Sequence, residues 1–558
     1  MWSPIRHPRP RSRVVIVDSL QLSGAPLVAD YLAGRSPAAS FHPPLPGPDA
    51  PSTWEEQAEG MVGAFEAGAR RRLADLLEGG GEDRAARLRR FVEEDGLAIT
   101  TGQQPGLLGG PLYSLYKALT AAALARKVEA HLGRPVLPVF WIASEDHDWD
   151  EARVTALPNL QNDLVELEMD IPPGAAGRPL HRCPIGEDIR PVLRALESAL
   201  PDTDFSPEWM DRVRDAYSPA HSLPEAFRQL LAPLLDQAGI FTLLPHRLEA
   251  KAATRDLLLR EAEAAPEREI ALRTRAGELE DAGYDLQVPM LDGATNLFLE
   301  GPEGRERLFL EEDGGFRLRR SGARRSLADL QTLTAGDPTL LSAGVLLRPV
   351  VERALVPTLA YVAGPGELAY LPQTAPLFQA HGLSRPLTVP RASGVILESK
   401  VAKVLDRFDL VVEDFDQSLH ELAGQVLRDE LPEEVRQALG RFRGAVGERT
   451  AELNTAVRTV DPTLTGTVGS LRSQVFGLAD DLEKKLVQAL RRNRGTALAQ
   501  LEKAAVHLFP GGRPQERVLP PLYYLVRYGS EAMETWSGLA EEAATALVPT
   551  NLPDAPRV

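Results

Sequence analysis

Thr101-Gly-Gln-Gln-Pro-Gly-Leu-Leu-Gly-Gly-Pro-Leu-Tyr-Ser-Leu-Tyr-Lys117 is the stretch that decides the fold of this chain. It connects a short predicted strand at residues 97–101 to a predicted helix, Leu112–Leu132, and the apolar string Val136–Ile142 then predicts a second, buried strand. Residues 358–361 predict a further buried strand. Strands that alternate with helices indicate an α/β fold with a mostly parallel sheet, whose ligand sites lie at the carboxyl ends of the strands.

The glycine-rich loop after the first strand is a candidate binding site. Gly102 and Gly110 allow the backbone to approach a ligand closely, and the free amides at the start of the following helix favour an anion. Gln103 and Gln104 offer paired donors and acceptors to a substrate. Lys117, roughly two turns into the helix, is either a ligand-binding lysine or a surface lysine. The loop matches neither the nucleotide-binding P-loop nor the dinucleotide fingerprint.

An acidic cluster follows the second strand. Glu145, Asp146 and Asp148 surround His147 directly after the buried string. Carboxylates around one imidazole suit a general acid/base pair, and they also suit a Mg²⁺ site completed by phosphate. The other interpretation is a polar loop in which the acids cap the next turn and His147 packs on the sheet. The sequence leaves open which of these acids bind a metal, if any does.

A second candidate site lies at the end of the strand at 358–361. Arg348 is either an anion clamp, because guanidinium pairs bidentately with carboxylate or phosphate, or the partner of Glu352 in a surface ion pair. The strand leads into a further glycine-bearing turn, and more cations follow it along the chain. The candidate binding residues here are Arg348, Tyr361, Gly364, Gly366, Glu367 and Arg391.

Length and composition limit the classes of protein. The chain has 558 residues, which predicts two or three structural units, and its net charge of −17 argues against nucleic acid and anionic membrane surfaces as partners. Its one cysteine, Cys183, excludes a disulfide within the chain and suits a reducing compartment. Without an apolar run of about 18 residues or a secretory leader, the sequence predicts a soluble cytoplasmic protein.

The pattern changes from about residue 396. Apolar residues from Val435 to Val460 step mostly by three and four, as do those from Val468 to Leu508, and Asp461-Pro-Thr-Leu-Thr-Gly466 joins the two runs. This spacing predicts an antiparallel coiled-coil hairpin. The arm is either a solvated structural element or a dimerising one.

The predicted domains follow from these patterns. They are an α/β core at 1–395, the helical arm at 396–510, and a C-terminal segment at 511–558 that returns to the core. Residues 53–95 predict two amphipathic helices. Residues of about 152–345 predict insertions plus the second half of the sheet, with helices near 208–237 and 247–281.

Taken together, the motifs resemble one known family over nearly the whole chain. They are similar to those of the bacillithiol biosynthesis cysteine-adding enzymes, the BshC family, in the following strings: Thr101-Gly-Gln-Gln-Pro-Gly, Gly110-Pro-Leu-Tyr113, Pro138-Val-Phe-Trp-Ile-Ala143, Glu145-Asp-His-Asp148, Leu347-Arg-Pro349, Gly366-Glu367, Gln515-Glu-Arg517 and Tyr528-Gly529. The resemblance implies a Rossmann-like core, as in class I synthetases and nucleotidyltransferases with connecting-peptide insertions. It also implies that the coiled coil supports a homodimer.

The resemblance implies a reaction as well. It joins the carboxyl group of L-cysteine to the amine of glucosaminyl-malate as the amide of bacillithiol. Because a carboxylate must be activated before an amine attacks it, ATP or another nucleotide is expected, with or without Mg²⁺, and no tightly bound cofactor is expected. Two other classes stay open: a synthetase-like nucleotidyl or aminoacyl transferase acting on another amine, and a non-enzymatic scaffold with a degenerate pocket.

The expected roles can be assigned to residues. Gln103 orients substrate, and Asp146 or His147 takes the amine proton. The residues expected to bind substrate or nucleotide are Thr101, Gly102, Gln104, Gly110, Tyr113, Lys117, Glu145, Asp148, Arg348, Tyr361, Gly364, Gly366, Glu367 and Arg391.

Overall fold

The computed structural model describes residues 14–18, 24–47, 50, 52–61, 65–429, 431–493 and 495–549. The chain divides into two compact units, one made of Met1–Ile396 with Gln515–Val558 and one made of Leu397–Pro514. In the described part of the chain, no helix is long and apolar enough to cross a membrane.

The strands of the described residues are, in chain order, β1 Val14–Asp18, β2 Glu78–Gly79, β3 Leu97–Gln103, β4 Val136–Ile142, β5 Val154–Pro158, β6 Leu164–Glu168, β7 Phe241–Leu243, β8 Ala294–Gly301, β9 Gly304–Leu310, β10 Phe316–Leu318, β11 Arg324–Arg325, β12 Leu341–Ala343, β13 Thr358–Ala363, β14 Leu387–Pro390 and β15 Gly394–Glu398.

The α-helices of the described residues are α1 Pro26–Leu32, α2 Ala38–Phe41, α3 Thr53–Glu59, α4 Ala67–Leu76, α5 Arg84–Glu93, α6 Leu112–Leu132, α7 Trp149–Ala152, α8 Ile189–Ala199, α9 Ser206–Ala216, α10 Leu223–Gln237, α11 Leu248–Glu263, α12 Ala265–Asp281, α13 Leu327–Gly336, α14 Arg348–Leu355, α15 Pro365–Tyr370, α16 Ala375–Ala380, α17 Ser399–Phe408, α18 Leu419–Asp429, α19 Glu433–Val457, α20 Thr465–Asn493, α21 Gly495–Leu508, α22 Pro521–Tyr528 and α23 Ser530–Thr545.

The main sheet has the predicted α/β architecture. Its strand order is β14-β13-β3-β4-β7-β2, and all neighbours are parallel except the short edge strand β2. β3 and β4 are paired along their whole length, from Leu97 with Val136 to Gln103 with Ile142. The strands predicted at 97–101, 136–142 and 358–361 are confirmed. Their carboxyl ends therefore meet at one edge of the sheet, where a ligand site is expected.

Helix α6 is the centre of the core. Its predicted bounds, Leu112–Leu132, are confirmed, and fourteen of its 21 residues are buried. A helix that is apolar all round must be covered on all sides, and α6 lies between the sheet strands β3 and β4 and helix α23 of the C-terminal segment. Gly133 ends the helix in the left-handed conformation that glycine adopts without strain (φ 61°).

A second sheet lies in the region predicted to hold insertions. Its order is β11-β10-β9-β8-β12, with antiparallel neighbours. The prediction that residues of about 152–345 supply the second half of the main sheet is wrong except for β7. Strands joined by tight turns pair antiparallel and form a sheet of their own, since a parallel neighbour needs a crossover of a dozen or more residues.

Three other helix predictions are wrong in number. Residues 53–95 hold three helices, α3, α4 and α5, with residues 62–64 outside the described part. The helices predicted near 208–237 and 247–281 are each divided in two. In the second case Pro266, near the start of α12, has no amide to continue the preceding helix.

The second unit contains the predicted helical hairpin. α19 and α20 pair, and Pro462–Leu464 turns the chain between them. Arg443 on α19 reaches Asp480 and Glu483 on α20, at 2.7 and 2.6 Å, which shows the antiparallel register. Several large apolar side chains of the hairpin are exposed: Phe442, Leu453, Leu471, Leu478 and Leu482.

Candidate active site

A cavity of about 710 Å³ opens at the carboxyl edge of the main sheet. One part of the lining, the sheet wall, comprises the ends of β3 and β4 with the residues that follow them, the turn after β13 with α15, and residues of α6 and α14. Another part, the hairpin wall, comprises side chains from β8 and β9. The predicted site residues that line the cavity are Gly102, Gln103, Gln104, Tyr113, Lys117, Glu145, Asp146, His147, Arg348, Gly364, Gly366, Glu367 and Arg391.

Four predicted binding residues lie outside the lining: Thr101, Gly110, Asp148 and Tyr361. Thr101 is fully buried and donates its hydroxyl to the carbonyl of Val362 at 2.8 Å, so it ties β3 to β13. Asp148 accepts the amide of Glu151 at 3.2 Å and caps α7. For Asp148 the capping interpretation of the acidic cluster is therefore the right one.

The anion site expected at the start of α6 is also corrected. Gly109 and Gly110 are buried with positive φ, and their backbones pack against Leu231 and Phe227 of α10. The first amide of α6, that of Leu112, donates to the carbonyl of Leu519 at 2.9 Å. The second half of the glycine-rich loop therefore serves core packing, at positive φ values that favour glycine, and only its first half lines the cavity.

Lys117 is a buried lysine of the sheet wall. Its Nζ lies 2.5 Å from Glu367 Oε2 and donates to the carbonyl of Gly102 at 2.6 Å and to Gln103 Oε1 at 3.2 Å. The three protons of the ammonium group thus have three acceptors. The lysine joins the end of β3 to α15, and it fixes the side chain of Gln103.

Glu367 is held from three directions. Besides Lys117, it accepts the hydroxyl of Tyr361 at 2.5 Å and the amide of Gly364 at 2.8 Å. Burial raises the pKa of this carboxyl group, but the charges of Lys117 and Arg348 outweigh burial, so the net pKa lies below the ordinary value. Glu367 therefore stays ionised. Tyr361 does not line the cavity itself but donates a hydrogen bond to Glu367, which does.

Arg348 is the partner of Glu352, which is one of the two interpretations of the sequence. Its guanidinium contacts Glu352 at 2.7 Å, but the pair is buried rather than on the surface. Glu352 also accepts the hydroxyl of Thr100 at 2.5 Å, and Arg348 donates to the hydroxyls of Tyr361 and Tyr370 at 3.1 and 3.2 Å. The arginine lines the cavity with its charge already balanced.

Arg391 lines the cavity with its charge balanced as well. Its guanidinium makes a bidentate pair with Glu516, at 2.9 and 2.5 Å, and its Cζ lies 5.6 Å from the ring centre of Tyr113. Ser393 and the amide of Gly394 donate to the same carboxylate. Glu516 comes from the C-terminal segment, 125 residues further along the chain, and a local pattern could not have indicated the pairing.

Asp146 is the carboxylate that the structure leaves available in the cavity. Its Oδ1 accepts the amides of His147 and Asp148 at 2.7 and 3.2 Å, whereas Oδ2 makes no hydrogen bond with a described residue. Burial raises the pKa of Asp146. The contacts with His147 and the charge of Arg305 together outweigh burial, so the pKa lies below the ordinary value for an aspartate. The carboxylate is ionised, oriented and open to a ligand.

His147 is contacted through its Nδ1 atom. Arg305 on β9 donates Nη1–H to His147 Nδ1 at 3.2 Å, and the same nitrogen lies 3.6 Å from Asp146 Oδ1. Because guanidinium only donates, Nδ1 is the acceptor in the contact with Arg305. Arg305 itself is buried and donates to Ser342 and to the carbonyl of Ala343.

Glu145 and its lysine complete the acidic cluster. Lys251, a buried residue of α11, donates to Glu145 Oε1 at 2.6 Å and to the carbonyl of Leu341 at 2.5 Å. Glu145 is thereby neutralised within the wall. Of the three acids predicted here, Glu145 is paired with Lys251, Asp148 caps a helix, and Asp146 lines the cavity with an Oδ2 atom that has no hydrogen bond to a described residue.

The sequence interpretation missed the hairpin wall. Phe298, Arg305, Arg307 and Gln287 line the cavity, and none of them belongs to a glycine loop or an acidic cluster. The alternation Arg305-Glu-Arg307 within a strand places both arginines on one face, which is the signal that could have indicated them.

Two family models together match nearly the whole chain. The model of the bacillithiol biosynthesis BshC N-terminal Rossmann-like domain matches residues 17–392, and that of the BshC C-terminal coiled-coil domain matches residues 394–545. The chain belongs to the BshC family. The Rossmann-like core and the coiled coil expected from the sequence are thereby confirmed.

Relatives match over most of their length. A protein of Salinibacter ruber named "Putative cysteine ligase BshC" is 36% identical over 520 residues, which are 91% of this chain and 93% of the relative. Proteins of the same name from Heliobacterium modesticaldum and Chlorobaculum tepidum are 33% and 32% identical, over 84% and 80% of this chain and 86% and 82% of the relatives. Membership in the BshC family makes this protein an enzyme of the ligase class in bacillithiol biosynthesis.

Proposed function

We propose that the protein joins L-cysteine, through its carboxyl group, to the amine of glucosaminyl-malate and so forms the amide of bacillithiol. The observation that carries the proposal is Asp146, an ionised carboxylate with one oxygen fixed by two amides and the other open to the cavity. Such a group attracts the cationic amine of an amino sugar. The cavity, at about 710 Å³, is in the size range of sites for small-molecule substrates.

The chemical step requires an activated carboxyl group and a free amine. The ammonium form first loses one proton to solvent. The neutral amine nitrogen then attacks the carbonyl carbon of cysteine, the carbon–oxygen bond to the leaving group breaks with its electron pair, and the second amine proton is transferred to Asp146. Gln103, held by Lys117 and contacted by Tyr113 at 3.2 Å, orients the substrate. Positioning of the two reactants contributes a large share of such a rate enhancement.

Asp146 is a better proton acceptor here than His147. The Nδ1 atom of His147 already accepts a hydrogen bond from Arg305, and in a neutral ring with that acceptor Nε2 carries the proton, so neither nitrogen has a lone pair available to the amine. His147 instead offers Nε2–H as a donor. The sequence left the choice between these two residues open, and this hydrogen bond favours Asp146.

ATP or another nucleotide, accompanied by Mg²⁺, would supply the activation of the cysteine carboxyl group. In the described part of the chain, no three His, Cys, Asp or Glu side chains are grouped as a metal site. Mg²⁺ that arrives with a nucleotide needs only one or two protein carboxylates besides phosphate. Glu151, which lines the cavity near Asp146, is a donor of that kind.

The test is product formation by the purified full-length protein. L-cysteine, glucosaminyl-malate, ATP and Mg²⁺ should yield a product with the mass of bacillithiol in liquid chromatography and mass spectrometry, and each omission should abolish it. Release of pyrophosphate from cysteine and ATP alone, with no transfer to glucosaminyl-malate, would favour a transferase for another amine. Failure with every nucleoside triphosphate would contradict the proposal.

We also propose that the arm pairs with a second copy of the chain. Leu478 and Leu482 of α20 are 70% and 51% exposed, and Phe442 of α19 is 49% exposed, although a hairpin packed only on itself would cover its seam. The double variant Leu478→Glu with Leu482→Glu should sediment as a monomer where the parent protein sediments as a dimer. Exchange of the exposed polar residue Glu448 for Gln is the control, and a parent protein that is monomeric at micromolar concentration would contradict the pairing.

A further inference from the structure

Arg307 differs from the other cations of the cavity. It lies on β9 opposite Phe298 of β8, two residues after Arg305 and on the same face of the strand. Its guanidinium carbon lies 5.0 Å from the centre of the Phe298 ring, and that of Arg305 lies 4.0 Å from the same ring. The two arginines and the ring thus form one surface of the hairpin wall.

Three other cationic side chains that line the cavity form ion pairs with carboxylates of the protein. Lys117 pairs with Glu367, Arg348 with Glu352 and Arg391 with Glu516. The guanidinium of Arg307 makes no hydrogen bond or ion pair with any residue that the structure describes.

The guanidinium of Arg307 is destabilised by its surroundings in the absence of a counter-ion. The side chain is only partly exposed, and burial, followed by the charges of Arg305 and Arg319, lowers its pKa. A half-buried guanidinium without a counter-ion gains more from an incoming anion than a fully solvated one does, because its own desolvation has already occurred.

We propose that Arg307 binds the malate carboxylates of glucosaminyl-malate. This inference rests on the proposed function. A planar guanidinium fork matches the two oxygens of a carboxylate, and Gln287, which lines the same cavity, adds an amide donor.

The strand that carries Arg307 also reaches the acidic cluster. Arg305 contacts His147, the neighbour of Asp146, and Arg307 lies about 7 Å further along β9. In glucosaminyl-malate the amine and the malate are on adjacent carbons of the sugar ring. With the amine at Asp146, the acid of the same substrate is therefore close to β9, which contacts His147 through Arg305 and carries Arg307.

A nucleotide phosphate has the same anionic chemistry, so the experiment must separate the two sources. The variant is Arg307→Gln, and the control is Arg194→Gln, an exposed arginine of α8 that does not line the cavity. In Arg307→Gln the KM for glucosaminyl-malate should rise about 10- to 100-fold, the loss expected for a charge-assisted hydrogen bond. The KM values for cysteine and ATP should stay unchanged, and Arg307→Lys should restore part of the affinity.

A substrate without the acid gives the second arm. Methyl glucosaminide should be a poor substrate for the parent protein, and Arg307→Gln should not make it poorer. An increase in the KM for ATP instead of glucosaminyl-malate would overturn the proposal, as would equal KM values for glucosaminyl-malate in the parent, Arg307→Gln and Arg194→Gln proteins.

Calorimetric binding of glucosaminyl-malate separates this inference from the proposed function. If the parent protein binds it, Arg307→Gln binds it at least 10-fold more weakly and no product forms, the assignment of Arg307 stands and the proposed reaction fails. If product forms while parent and variant bind glucosaminyl-malate equally, the reaction stands and the assignment of Arg307 fails.

Discussion

The two walls of the cavity differ in how their charges are satisfied. On the sheet wall, Lys117, Glu367 and Arg348 have short contacts with groups of the protein itself. On the hairpin wall, Arg307 has an aromatic ring beneath it and no counter-ion among the described residues. Buried charges must be paired within the fold or they destabilise it, so the paired wall sets the geometry and the unpaired groups are those left for a ligand.

Asp146 is the exception on the sheet wall, and it should show the largest effect. Asp146→Asn removes the open carboxylate oxygen but retains the oxygen that accepts the two amides. We expect kcat to fall about 100- to 10,000-fold, as for the loss of a general base, with the thermal midpoint little changed. Steady-state kinetics with glucosaminyl-malate would measure this.

The neighbouring acid provides the control. Asp148→Asn retains an oxygen that can cap α7, and the residue does not line the cavity. Its kcat should remain within about threefold of the parent value, as for a surface substitution. Equal losses in the two variants would show that the acidic cluster acts only through its folding.

Breaking the Lys117–Glu367 pair should mainly cost stability. Lys117→Met leaves an ionised carboxylate in a site where the lysine side chain is 4% exposed. We expect the free energy of unfolding to fall by about 3–5 kcal/mol, the range for a buried pair that loses one partner. Lys127→Met on the same helix breaks an exposed contact with Glu541 and should cost under about 1 kcal/mol. Urea unfolding of both variants measures the difference, and similar losses would refute the contrast.

Acid should destabilise the protein through two buried histidines that lie next to the sheet wall. The rings of His181 and His246 stack with centres 4.3 Å apart next to Ser144, and burial lowers the pKa of His181 to about 3 and that of His246 to about 4. In the unfolded chain both titrate near pH 6.5, at about the ordinary value. Between the native-state and unfolded-state pKa values, the unfolded chain binds protons that the native protein does not. The free energy of unfolding is therefore highest above about pH 6.5, and it decreases as the pH falls towards the native-state pKa values.

The expected loss is about 1 kcal/mol per histidine for each pH unit below about 6.5. Urea unfolding between pH 7.5 and 4.5 measures it. His181→Asn keeps a donor for the carbonyl of Ser144, which His181 Nδ1 contacts at 3.0 Å, but it cannot titrate. Its stability should depend less on pH, and an unchanged slope would exclude His181 as a source.

The sequence predicted the sheet wall better than the hairpin wall, and the reason is physical. The strands β3 and β4 and the helix α6 are signalled by local apolar patterns, and the polar residues after the two strands must then meet at one edge. Arg307 faces the cavity only because an antiparallel sheet elsewhere in the chain covers that edge. The pairing of Lys117 with Glu367 spans 250 residues of sequence, and no local pattern contains it.

The glycine-rich loop shows the same limit within a single motif. Gly102 and Gly110 were both expected at the ligand, but only Gly102 lines the cavity. Gly110 packs near Phe227 of α10, a helix more than 100 residues away along the chain. Glycine spacing indicates a close backbone approach, and the approach can be to a ligand or to another part of the core.

Two tyrosines offer the finest test of the paired wall. The hydroxyl of Tyr361 donates to Glu367 and accepts from Arg348, whereas that of Tyr370 accepts only from Arg348. Each hydrogen bond to a charged group contributes on the order of 1–2 kcal/mol. Tyr361→Phe should therefore destabilise the protein by about 1 kcal/mol more than Tyr370→Phe does, and urea unfolding resolves such a difference. If the two losses are equal, Glu367 is held by Lys117 and Gly364 alone, and the sheet wall is ordered by its buried ion pair rather than by a network that extends through Tyr361 to Arg348.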